Sequence, residues 1–233
     1  MRRRTGSALI AATAGCIVLI ALGAWQLQRL QWKQGLIFEL ERHLSAPPVS
    51  LSEAIAHPVE FLHVKTSGSF EHAGELFVLT AEDGRPGWRV VTPLISDEGI
   101  FVLVDRGFVA DEQREPAKRP GSQPQGHVEV DGYVSRHSAG RGLFTPDNDA
   151  AGNNWYWWDI PAMLAFGRID PQSRVAPFLL HVMPGPDSGA VPRPSSPMLG
   201  LSNNHLQYAL TWFGLAIVLA AVTFFYLRSD RSP

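Results

Sequence analysis

One histidine stands apart among the residues able to do chemistry in this chain. His205 lies in LSNNHLQYALTWFGLA, residues 201–216, at the mouth of an uncharged apolar stretch that runs to Leu227. At that depth an imidazole meets water on one side and hydrocarbon on the other. A neutral ring nitrogen there can hold an amphipathic, metal-bearing molecule such as haem. An interfacial side chain that only anchors the helix start fits the same position. If the segment is helical from about Asn204, then Tyr208, Ala209, Trp212 and Ala216 share the face of His205. That face combines a possible metal ligand with aromatic rings and small side chains, which allow a flat ligand or another helix to approach closely.

Elsewhere the spacings of known catalysts are missing. The chain has no HExxH, GxSxG, SxxK, Walker A or GxGxxG pattern. Its eight histidines include no HxH or HxxxH pair. Asp83, Asp97 and Asp105 fall in turns or strand ends and read as structural or solvated. The single cysteine, Cys16, excludes a CxxC site and any disulfide within one chain. A membrane-tethered enzyme assembled from scattered His and Asp residues therefore has no support in spacing.

Two apolar segments must position whatever the chain does. No charge occurs between Arg4 and Arg29, or between Pro194 and Leu227. Each apolar core is about 20 residues, the length that about 30 Å of hydrocarbon requires of a helix. The first reads as a retained span rather than a cleaved signal peptide, being longer than a usual signal core and lacking a clear cleavage site. Arg2, Arg3 and Arg4 precede it, while Arg228 and Arg231 follow the second. The positive-inside rule thus places both termini in the cytoplasm, or in the matrix of a mitochondrion, and the middle of the chain on the other side. Residues 30–204 carry 14 Lys/Arg against 21 Asp/Glu, a formal −7. Such an acidic domain fits export and argues against nucleic-acid binding.

The first helix is predicted to continue to about Leu44, with Trp25 at the interface and Trp32 just outside it. Pro47 and Pro48 end it, and Ser50 or Ser52 caps a short helix through Ala56. Strand patterns follow at Glu60–Phe70, Glu75–Thr80, Trp88–Ile95, Ile100–Val109, His127–Val134, Trp155–Ile160 and Phe178–Met183. They predict a mainly antiparallel sheet curling towards a barrel, with Trp88–Ile95 and Ile100–Val109 as its best hairpin. Asp111–Gly126 and the proline-rich Pro184–Pro197 read as loops.

Five stretches in order resemble the SURF1/Shy1 family of cytochrome c oxidase assembly proteins. They are LGAWQLQRLQWK (22–33), PGWRVVTPL (86–94), VLVDRGFV (102–109), NNWYWWDIPAM (153–163) and NNHLQYALTWFGLA (203–216). The resemblance covers nearly the whole chain, and Trp25 and Gly87 are positions that the family pattern also uses. It departs from the family's Asn-Arg-Gly-Trp, which is here Asp105-Arg106-Gly107-Phe108.

The resemblance implies a multi-pass protein of the bacterial inner membrane that is not an enzyme. It would assist maturation of a haem-copper oxidase by binding haem a and handing it to subunit I. His205 is then the expected axial ligand to the haem iron, flanked by Tyr208 and Trp212. Arg106, and as a second choice Arg89, would pair with the propionates. Expected partners are oxidase subunit I, other assembly factors, haem A synthase and the lipid bilayer. The alternative is a scaffold without haem, which holds assembly intermediates through its periplasmic domain.

The expected organisation is a cytoplasmic start (1–4) and a first transmembrane helix (5–28). A periplasmic β-rich, α+β domain (45–204), a second transmembrane helix (205–227) and a cytoplasmic end (228–233) complete it.

Overall fold

The computed structural model describes residues 2–136, 141–185, 191–195 and 204–229. Arg231, the side chains of Arg2, Arg3, Arg4 and Ala8, and linker residues 186–190 and 196–203 lie outside what is described. The chain divides into two compact units, residues 1–39 with 198–233, and residues 40–197.

The first unit holds the two apolar helices. Helix α1 runs over Arg2–Ser45, as its unbroken run of helix formers predicts, and α4 over His205–Ser229. Both are long and apolar enough to cross a membrane, with mean hydropathy of 1.9 and 2.1 in their most apolar windows. Leucine, isoleucine, valine and phenylalanine side chains stand exposed along both. Water would penalise that surface and lipid would not. Small residues lie in the seam between the helices, with Gly15 facing Leu219 and Gly23 facing Phe213. Ala209 and Ala216 are buried, and the Cys16 thiol reaches the Ala216 carbonyl at 3.8 Å. Trp25 and Trp32 flank the Arg29 guanidinium, whose carbon lies 5.8 and 5.3 Å from their ring centroids.

The second unit is built on six strands: β1 (His63–Phe70), β2 (Leu76–Glu82), β3 (Arg85–Ser96), β4 (Ile100–Ala110), β5 (His127–Ser135) and β6 (Arg174–Val182). Their order is β1-β5-β6-β4-β3-β2, and a further β1–β3 pairing closes five of them into a barrel. β2 extends the sheet beyond β3. Closure depends on Gly68, where β1 pairs with both β5 and β3. A Cβ at Gly68 would collide with the Ile95 carbonyl. The expected β3–β4 hairpin forms with a bulge between Val90 and Val91.

Among the pairings of these six strands, all are antiparallel except β4–β6. β4 is buried on both faces, which suits its near-continuous apolar run IFVLVDRGFVA. Its even-numbered residues Ile100, Val102 and Val104 join Val64, Leu94, Val130, Phe178 and Leu180 in one core. Helix α2 (Leu51–Ala56), capped by Ser50 as expected, adds Leu51 and Ala54 to that core.

Two expectations fail here. Trp155–Ile160 is not a strand, although Trp155 makes a single bridge to Val78. The pattern misleads because its aromatic residues pack irregularly against the sheet, and Asp159 caps a helix instead. That helix, α3 (Ile160–Phe166), has Pro161 in its first turn. Together with Trp155 it covers a second core of Leu76, Val78, Val91, Leu103, Met163 and Leu179. Asp105, expected at a strand end, lies well inside β4 and is 1% exposed. Its neighbours are charged, which is why a carboxylate survives there.

Candidate functional site

His205 is the first residue of α4 and is half-buried. Its Nδ1 donates to Oε1 of Gln26 on α1, at 2.7 Å. The amide oxygen can only accept, so Nδ1 carries a proton and Nε2 is the ring nitrogen left to act as a ligand. Histidines that ligate metals are usually held this way, with the second ring nitrogen donating to an oxygen. Gln26 belongs to the same early motif as Trp25, but nothing in its spacing points to His205.

Ala209, Trp212 and Ala216 follow His205 along the face that packs on α1. Tyr208 is 54% exposed and Trp212 half-buried, so the two rings differ in surroundings. The helices approach closely at Gly23, where an added Cβ would lie 2.6 Å from the Phe213 ring. A shallow groove along α4 is lined by Asn204, Leu206, Gln207, Leu210 and Thr211, without His205.

The expected arginines belong to the β domain. Arg106 is 9% exposed and donates to the Ser122 carbonyl. Its guanidinium also lies 3.5 Å from Glu75 and faces the Phe70 ring. Burial lowers its pKa to about 10. Gly87 admits no side chain, because a Cβ there would strike the Val109 carbonyl and the Phe108 ring.

Arg89 belongs to a cluster that spacing did not reveal. Its Nε donates to Asp105 Oδ2, and its Nη1 donates to Ser195 Oγ at 3.1 Å. His181 Nδ1 lies 2.8 Å from the same carboxylate oxygen, while the other oxygen accepts from the Gly107 amide at 2.9 Å. Tyr133 stacks on His181 at 5.2 Å, and burial pushes its phenol up to about 12. The signals in sequence were single charged residues inside apolar strands, and only strand register unites them.

Burial alone would raise the Asp105 pKa, but His181 and Arg89 overcome it and hold the carboxyl well below the ordinary range. Because the folded value is depressed, the stabilisation is fully present above the unfolded value of about 4. It is lost as pH falls through the acid range. The expected result is a melting temperature that declines steeply below about pH 4, with a shallower decline in Asp105→Asn. Thermal unfolding at stepped pH checks this.

Asp83 and Asp97, read as structural or solvated, are exposed. Asp83 sits at a turn and pairs with Arg193 at 2.9 Å, and Asp97 accepts from Ser67 and His127. Among the described residues, no three His, Cys, Asp or Glu side chains converge as a metal site.

The sequence model of the SURF1 family matches residues 14–217. Similar curated proteins include Surfeit locus protein 1 of Takifugu rubripes, 32% identical over 87% of this chain and 90% of that protein. The Mus musculus protein of the same name is 35% identical over 93% of this chain and 72% of its own length. For the Homo sapiens protein the values are 34%, 89% and 73%.

Proposed function

The chain belongs to the SURF1 family, and on that premise we propose that it is a membrane-bound assembly factor for a haem-copper cytochrome c oxidase. In this reading it binds haem a and releases it to subunit I, without turnover of its own. Haem A synthase upstream and other assembly factors are its proposed partners. The proposed location is the bacterial inner membrane; the basic flanks support an orientation with both termini on the inner side and the β domain outside, in the periplasm.

The observation that carries the haem reading is the hydrogen bond from His205 Nδ1 to Gln26. It engages Nδ1, so that Nε2 is the nitrogen that would meet iron in the neutral ring. The haem cargo would supply an iron with an open axial position, an apolar tail and charged propionates. His205 offers it one strong protein ligand at the end of an apolar helix, which suits a carrier that must release what it holds. Trp212 and the exposed Tyr208 supply aromatic surface on the same helix. Arg106 is engaged by Glu75 and Ser122 within the β domain.

The test is a visible spectrum of the detergent-purified protein, expressed with and without a haem A synthase. Haem a absorption is expected with the synthase and should disappear in His205→Ala while the protein stays folded. Gln26→Leu is expected to weaken retention about 10–100-fold, the usual cost of losing a group that orients a ligand. An unchanged spectrum in His205→Ala would remove that residue from the site.

A second reading is a scaffold that binds no haem and holds assembly intermediates through the β domain. Leu143 and Phe144 favour it, being adjacent apolar side chains 90% and 94% exposed on the loop after β5. Wild-type protein that never acquires haem would support this reading.

A further inference from the structure

The barrel interior changes character at the end where β1 finishes and β5 begins. Along β4, the inward series Ile100, Val102 and Val104 is followed by Arg106. Arg106 and Arg119 share one acid, Glu75, and the three side chains are 9%, 0% and 4% exposed respectively. Arg119 is the better placed, pairing with one Glu75 oxygen and donating to Ser122 Oγ at 3.0 Å. Arg106 Nη1 faces the other oxygen at 3.5 Å without hydrogen-bond geometry, and both atoms lack a hydrogen-bond partner.

Two buried guanidiniums against one carboxylate leave a net positive charge away from water. Among the described residues no second acid pairs with either arginine. An uncompensated buried charge is unfavourable unless something neutralises it.

Arg106 also lines a cavity of about 440 Å³ at this end of the barrel. Its walls include Phe70, Val128, Val130, Met183 and Pro192. Apolar walls with a buried guanidinium among a few polar groups are typical of small-molecule sites, and barrel mouths are common places for them. Two carboxylates, Glu129 and Asp131, line it as well, but Lys65 pairs with the first at 3.0 Å and His63 with the second at 2.6 Å. A dianion would overcompensate the single excess charge and meet those acids. One carboxylate matches it.

We propose that this end of the barrel binds a monocarboxylate carried on a compact apolar body, with Arg106 receiving the carboxylate. The body lies against Phe70, Val128 and Met183, and Glu75 with Arg119 holds the Arg106 fork in place.

Full-length protein in lipid nanodiscs, titrated with 4-(trifluoromethyl)phenylacetate and followed by fluorine NMR, tests the site. The neutral amide of the same compound serves as control, and empty nanodiscs provide the baseline for lipid partition. The acid is expected to broaden beyond that baseline and the amide not to. Arg106→Gln should weaken binding about tenfold or more, since a charge-assisted hydrogen bond is worth about 1.5–3 kcal/mol. Met183→Trp fills the chamber while leaving every charge in place, and it should abolish binding even if Arg106→Gln fails to fold. No broadening by millimolar acid, equal broadening by acid and amide, or full binding in either folded variant would overturn the proposal.

Discussion

Replacing Asp105 with alanine is expected to destabilise the β domain by about 3–5 kcal/mol, the usual cost of removing one partner from a buried ion pair. The carboxylate is 1% exposed and serves three donors or cations at once: Arg89, His181 and the Gly107 amide. Its loss leaves the Arg89 charge without its buried partner and Gly107 N–H without an acceptor. Chemical unfolding of the detergent-solubilised protein, read by near-ultraviolet circular dichroism, measures the change. A double-mutant cycle with Arg89→Leu separates the pair from the rest of the network. If the carboxylate acts mainly through Arg89, the double variant will lose less than the sum of the single ones. A loss under 1 kcal/mol for Asp105→Ala would show that water reaches the cluster and screens it.

Trp155→Ala is expected to cost about 3–5 kcal/mol, the range for deleting a large buried aromatic side chain. Trp155 is fully buried, and its indole N–H donates to Asn153 Oδ1 at 2.9 Å. Its backbone pairs with β2 through Phe77 and Leu79, at 3.0 and 2.7 Å. The side chain thus pins an irregular segment to the sheet edge and fills the space beneath α3. Trp155→Phe keeps most of the apolar volume but leaves the Asn153 oxygen without the indole donor. It should cost about 1–3 kcal/mol. Equal losses in the two variants would mean that the hydrogen bond, not the volume, dominates.

Much of the architecture was legible in the residues. The apolar runs marked both long helices, and Ser50 followed by Pro58 marked α2. Alternation with turn residues marked all six strands and the β3–β4 hairpin. The failure at Trp155–Ile160 has a simple cause. Aromatic residues are common in strands and also wherever irregular backbone must be pinned to a sheet, and pattern alone does not separate the two.

The candidate site divides in the same way. His205 could be singled out because its depth in an apolar segment is a property of the local sequence. Its partner Gln26 could not, since the two residues are 179 positions apart and meet only when the helices pair. Whether Asp105 is structural or solvated was not legible, because a charge in a strand carries no local mark of burial. Its environment is decided by the register that sets Asp105 opposite His181 on β6 and beside β3, which carries Arg89.

By itself, then, the sequence determined the two apolar helices, the strand-forming segments between them, the family and the depth of His205. Those properties follow from periodicity, apolar length and motif order, which neighbouring residues express along the chain. Only the tertiary structure decided that five strands close, that Arg89, Asp105 and His181 meet, and that Arg106 shares Glu75 with Arg119. Barrel closure brings distant strands together, and the low polarity it creates turns isolated charged residues into obligatory partners.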